Sequence, residues 1–242
     1  MLFAFFLFIT GGLWFILQIL NGNFSIIKDF IVYQIRLFRT EDAGHGGFLF
    51  YHFVVLFIGV FPASVFALKN IYRFNSKNDM VRWMVILFWV VLILFTIVNT
   101  KIVHYSSLCY FPISFLAAKT INDYYGNKRG ISGWIKFLVV FLGFVYVILI
   151  VAIPFVLQNK TKIIPFIKDE FAVGNLSANV HWSGFEALIA LFLILGIFIF
   201  IKSSKSKHIL KGIYGLFISS LLFIYFILFS LFQKLKDIRN VL

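Results

Sequence analysis

Charge is scarce in this chain: 13% of its 242 residues are Asp, Glu, Lys or Arg, against 62% apolar residues. A water-soluble domain of this length is nearer one quarter charged and half apolar, so a soluble globular fold is excluded. Cysteine is nearly absent. The single Cys109 rules out an internal disulfide framework, and its place inside an apolar run reads as a small buried hydrophobe rather than a reactive thiol. Acids are few, nine against 22 Lys and Arg, giving a formal net charge of +13. That excess does not form a nucleic-acid groove, because the cations stand in short clusters between apolar runs, as topology signals and headgroup contacts do. No basic residue precedes Leu-Phe-Ala-Phe-Phe-Leu-Phe-Ile at the start, so the first segment reads as a retained span, not a cleavable signal.

What is present is apolar length. Mean hydropathy is +0.99, and runs near the roughly 20 residues needed to cross a bilayer recur along the chain. Seven spans are expected, at about 1–20, 48–68, 83–99, 104–119, 133–157, 184–201 and 212–232, giving an all-α, polytopic helix bundle. The fourth is short and broken by Pro112. Residues 1–232 form the transmembrane domain, and 233–242 read as the start of an outer C-terminal region. Lys69, Arg73, Lys77 and Arg82, then Lys119, Lys128 and Arg129, then Lys202, Lys205, Lys207 and Lys211 fill three connections whose acids are Asp79 and Asp123. By the positive-inside rule these face the cytoplasm, which places the N-terminus inside and the C-terminus outside.

The outer connections carry the chemistry. Within Lys28–Arg39, a rotation of about 100° per residue gathers Lys28, Asp29, Arg36 and Arg39 into one wedge, with apolar residues over the rest. This predicts a short amphipathic helix lying in the interface, its arginines toward phosphates. An ordinary connecting helix whose arginines meet headgroups has the same spacing. There follow Glu41, Asp42, Gly44, His45, Gly46 and Gly47, then Tyr51 and His52 at the entry to the second span. The glycines allow close backbone approach to a ligand. Glu41, Asp42, His45 and His52 are types that ligate a divalent metal, but four ligands at metal-binding spacing are not evident, so no metal or other cofactor is assigned. Across the tight turn between spans three and four, Lys101, His104 and Tyr105 crowd one boundary. Lys101 either snorkels or pairs with an anionic headgroup to which Tyr105 donates a hydrogen bond. His181 and Trp182 read as an interfacial anchor. Glu186 is flagged as a carboxylate just inside a span.

Two of these motifs resemble a known family. His45-Gly-Gly-Phe-Leu-Phe-Tyr-His52 with Gly59-Val-Phe-Pro62, followed by Lys101-Ile-Val-His-Tyr105 through Pro112, is similar to membrane glycosyltransferases of the aminoarabinose-transferase type, relatives of the dolichyl-phosphate-mannose protein mannosyltransferases. The best-matched region is about residues 25–120. The resemblance implies sugar transfer at the outer face of a bacterial inner membrane, from a polyprenyl-phosphate donor to a lipid (lipid A-like) or protein acceptor. It makes Lys101 and Tyr105 the first candidates for donor-phosphate contact, Arg36, Arg39 and His45 the second, and Tyr51, His52 and His104 pocket-lining candidates. In that family the catalytic aspartate lies in the first outer loop, upstream of these motifs. Glu41 and Asp42 match a later loop, so the base is expected to be missing and the chain is expected to be a partial one. Two other classes compete. A transporter or flippase of lipids or small molecules would bury polar groups at mid-span, which spans two, three and seven do little of. A noncatalytic membrane assembly subunit would use the aromatic faces to pack a partner.

Overall fold

The computed structural model describes residues 2–40, 46–167, 170–177, 180, 182–204 and 208–239. The secondary structure is helical, with no strand among the described residues. The helices are α1 (Leu2–Leu20), α2 (Phe24–Arg39), α3 (Tyr51–Gly59), α4 (Ala63–Ala67), α5 (Asp79–Ile97), α6 (Tyr110–Gly126), α7 (Gly133–Gln158), α8 (Lys160–Ile163), α9 (Glu170–Ser177), α10 (Ala190–Lys202) and α11 (Ile209–Arg239), with 3₁₀ turns at Val103–Cys109, Ile164–Phe166 and Phe185–Ile189. Among the described residues five segments are long and apolar enough to cross a membrane: Leu2–Leu20, Asp79–Ile97, Gly133–Gln158, Phe185–Lys202 and Ile209–Lys234. These match five of the seven expected spans, and the chain is an all-α membrane bundle.

The other two expected spans are not single long helices. The run 48–68 breaks into α3 and α4 at Gly59–Pro62, where Pro62 has no N–H to continue the ladder. A break at membrane depth strands carbonyls, which must find donors inside the protein. Here the Ser64 hydroxyl donates to Phe57 O at 2.6 Å, and the Tyr146 phenol donates to Ile58 O at 2.6 Å. The run 104–119 is a 3₁₀ turn followed by α6, whose third residue is Pro112. A proline is tolerated in the first turn because that N–H has no intrahelical partner.

The chain divides into two compact units, Met1–Leu56 with Ile86–Tyr110, and Phe57–Val85 with Phe111–Leu242. In the first, α1 buries none of its residues, and Phe3 is 80% exposed. A surface so apolar is stable only against hydrocarbon. Trp14 and Phe15 of α1 meet Phe30 of α2 at ring separations of 5.4 and 5.7 Å. Buried in this unit are His52, Leu56, Phe88, Val91, Leu92 and Cys109. Cys109 is the small hydrophobe expected, its thiol lying 3.7 Å from Phe88 O.

In the second unit α10 and α11 pack through small residues. A Cβ on Gly196 would lie 2.5 Å from Ser219 Cβ, and one on Gly215 would lie 2.5 Å from Ile199 Cγ2. Lipid gives no hydrophobic push between helices, so close backbone approach has to supply the packing energy. Phe66 of α4 fills the space beside them, 6.0 Å from Phe200 and 6.1 Å from Phe217.

Candidate functional site

A helix ends with four carbonyls that lack intrahelical donors. At the end of α2 these groups are served by a turn sixty residues away. The backbone N–H of Thr100 donates to Leu37 O at 3.3 Å, and that of Asn99 to Phe38 O at 3.2 Å. The Asn99 side-chain amide donates to Arg39 O at 2.7 Å, and the Thr100 hydroxyl to Thr40 O at 2.9 Å. Thr40 closes the previous carbonyl itself, its N–H and hydroxyl reaching Arg36 O at 2.8 and 2.9 Å. Arg36 and Arg39, both exposed, are thereby fixed to the turn that carries Lys101.

Lys101 turns back on the other helix. Its Nζ donates to Phe95 O, Thr96 O and Val98 O at 3.2, 2.7 and 2.6 Å. These carbonyls belong to the last turn of α5 and the residue just after it, and a cation there also meets the negative end of the helix dipole. The side chain is 5% exposed, and burial lowers its pKa from the usual lysine value. Gly47 lies flat against its stem. A Cβ at Gly47 would stand 2.9 Å from Lys101 Cγ, 3.2 Å from Lys101 Cβ and 3.3 Å from Tyr51 Cδ2.

His52 is fully buried. Its Nδ1 is 3.2 Å from Ser106 Oγ, and Nε2 has no hydrogen-bond partner among the described residues. Tyr51 and Phe95 pack on the imidazole at 5.2 and 6.0 Å. Tyr105, half-buried, lies on the far side of Phe95 at 5.4 Å, and exposed His104 packs on Tyr105 at 5.2 Å. Arg36 stacks over Tyr33 at 5.1 Å.

The structure thus brings Lys101, Tyr51, His52, Tyr105 and His104 into one cluster, with Arg36 and Arg39 on the helix end stitched to it. His45, Glu41 and Asp42 lie outside the described residues. Among the described residues no group of three or more His, Cys, Asp or Glu stands close enough to hold a metal ion. Sequence reasoning missed Asn99, Thr100, Ser106 and Phe95. The Asn-Thr pair directly after an apolar run was the available signal, since both residue types bond backbone carbonyls.

Two other flagged residues meet in the second unit. Glu186 accepts from Lys234 Nζ at 2.7 Å, from the Gly184 N–H at 2.8 Å and from the Ser183 hydroxyl at 3.1 Å. Lys234 also lies 4.7 Å over the Trp182 ring. Trp182 thus packs against a cation of α11, and the carboxylate is consumed in an ion pair. His181 lies outside the described residues.

Part of the chain is similar to a membrane arabinosyl transferase. The relative is the undecaprenyl phosphate-alpha-4-amino-4-deoxy-L-arabinose arabinosyl transferase of Wigglesworthia glossinidia brevipalpis, 33% identical over an alignment of 104 residues that covers 39% of this chain. The chain spans only 18% of the length of that curated relative in the match. No family model matches the chain, and no solved structure does. The likeness points to membrane glycosyltransferases in general, with a polyprenyl-phosphate sugar as the donor type that the relative's name carries.

Proposed function

We propose that the chain is a membrane-embedded part of a glycosyltransferase that takes its sugar from a polyprenyl-phosphate donor and passes it to a lipid or protein acceptor at the outer face of a bacterial inner membrane. The observation that carries this reading is the Lys101 ammonium. It is buried, and its acceptors among the described residues are neutral carbonyls. Its lowered pKa means that these do not fully compensate the cost of burying the charge. Such a group gains from an anion, because a charged acceptor bonds an ammonium about twice as strongly as a neutral one. The donor phosphate takes that place, drawing Nζ from one or more carbonyls, while Tyr105 donates a hydrogen bond to it. Arg36 and Arg39 line the approach, His45 is a further candidate by its place in the sequence, and His52, Tyr51 and His104 form the pocket wall. As the leaving phosphate gathers charge, Lys101 stabilises it.

The test uses the intact protein in proteoliposomes, with a polyprenyl-phosphate sugar and acceptor, reading sugar transferred. Replacing Lys101→Ala together with Tyr105→Phe should reduce transfer on the order of 100-fold, the usual cost of removing such a donor. Because Lys101 also caps α5, Tyr105→Phe alone is the cleaner arm: it keeps the melting temperature and lowers transfer about tenfold. Unchanged transfer in both variants overturns the assignment of this cluster to the donor phosphate.

A further inference from the structure

A second site lies between α6 and α11. Ala118, Ile121, Asn122 and Tyr125 occupy positions i, i+3, i+4 and i+7 of α6, and Leu210, Ile213, Tyr214 and Phe217 repeat that spacing on α11. The two stripes face each other across an open groove of about 380 Å³. At about 30 Å³ for a water-sized group, that volume takes roughly a dozen methylenes. Seven residues of helix make the groove about 10 Å long. Its wall is apolar, and its polar atoms are the amide of Asn122 and the phenols of Tyr125 and Tyr214, which are 55% and 61% exposed.

The charge around it is mainly positive. The chain beyond α6 is held at the groove's end, because the Lys128 N–H bonds Tyr125 O at 3.1 Å and the Arg129 N–H bonds Tyr124 O at 3.1 Å. The Ile131 N–H donates to Ser204 O at 3.1 Å and so ties this loop to the connection that leads into α11. Lys128, Arg129 and Lys211 are exposed, and Lys211 stands one residue from Leu210 of the groove wall. The acid of this region, Asp123, is already taken by Lys119 and, at 3.8 Å, by Arg73. Lys69 is likewise occupied, 3.8 Å over the Tyr124 ring. A hydrocarbon slot with phenols at its rim, adjoined by exposed cations that make no ion pair among the described residues, fits one chemistry, a fatty tail carrying an anionic phosphate head.

We infer that the α6–α11 groove binds an anionic phospholipid, one acyl chain lying between the two stripes and the phosphodiester held by Lys128, Arg129 and Lys211 with the Tyr125 and Tyr214 hydroxyls. This is separate from the sugar-transfer cluster and does not depend on it.

Native mass spectrometry of the full chain in mild detergent tests it, with phosphatidylglycerol and phosphatidylcholine of identical acyl chains supplied together. Phosphatidylglycerol should be retained about tenfold over phosphatidylcholine. Lys128→Ala with Lys211→Ala should bring the two lipids to parity. Ala118→Trp, at an exposed position, fills the slot while keeping every cation, and should lower retention of phosphatidylglycerol several-fold. Lys77→Ala, a basic residue outside the groove lining, should change nothing. Equal retention of the two lipids by the unaltered protein overturns the inference. So does full retention in Ala118→Trp, which would reduce the effect to general surface charge. Displacement of phosphatidylglycerol by an equimolar polyprenyl phosphate would overturn the choice of a phospholipid as the occupant.

Discussion

Gly47→Ala is the smallest change that tests how the turn around Lys101 is built. The added methyl would sit 2.9 Å from Lys101 Cγ and 3.2 Å from Cβ. Those atoms cannot swing aside cheaply, because Nζ at the far end is held by three carbonyls. Overpacking of this kind costs about 1–3 kcal/mol. In a Lys101→Ala background Cγ, the nearest atom, is gone, while the contacts to the β-carbon of residue 101 and, at 3.3 Å, to Tyr51 Cδ2 remain. The penalty should then fall to about 0.5 kcal/mol or less, leaving a coupling of about 1–2 kcal/mol in the double-mutant cycle. The assay is reversible unfolding of the four purified proteins in mixed micelles, followed by tryptophan fluorescence. Equal cost for Gly47→Ala in both backgrounds would refute the argument that the lysine stem is what excludes a side chain at position 47.

Two further outcomes follow from the same geometry. Lys101 has a lowered folded-state pKa, so the unfolded chain binds more protons in the window between that value and about 10.4. Stability should therefore rise with pH through that alkaline window, and Lys101→Met should remove that part of the slope in pH-dependent unfolding. In the second unit, Lys234→Met leaves the Glu186 carboxylate, 13% exposed, without its cation. The pair is half-buried, so breaking it should cost less than the roughly 3–5 kcal/mol of a fully buried one, and Glu186→Gln added to Lys234→Met should recover much of the loss; thermal melts that show no recovery would mean the pair is not what holds α11 there.

Much of the bundle was legible because a bilayer imposes a length. Leu2–Leu20 and Gly133–Gln158 begin and end within about a residue of the expected runs, since twenty apolar residues in lipid have one cheap backbone solution. The broken run at Gly59–Pro62 was less legible. Hydropathy does not see a stranded carbonyl, and the donors that rescue it, Ser64 and Tyr146, are ordinary residues in apolar surroundings. At the candidate site Lys101, Tyr105 and His52 stood out as polar types at a membrane edge. Their partners did not, because Asn99 and Thr100 meet the end of α2 across sixty residues of chain, and such pairing leaves no local pattern.

The stitching of α2 to residues 99 and 100 also makes the length of α5 a ruler for the two arginines. Deleting one residue between Ile86 and Leu94 would move the Asn-Thr pair by about 1.5 Å along the helix axis and turn it by about 100°. Four donors would then miss their carbonyls at once, and Arg36 and Arg39 would lose the height at which they are held. A change in a purely apolar stretch would thus reposition charges that it never touches.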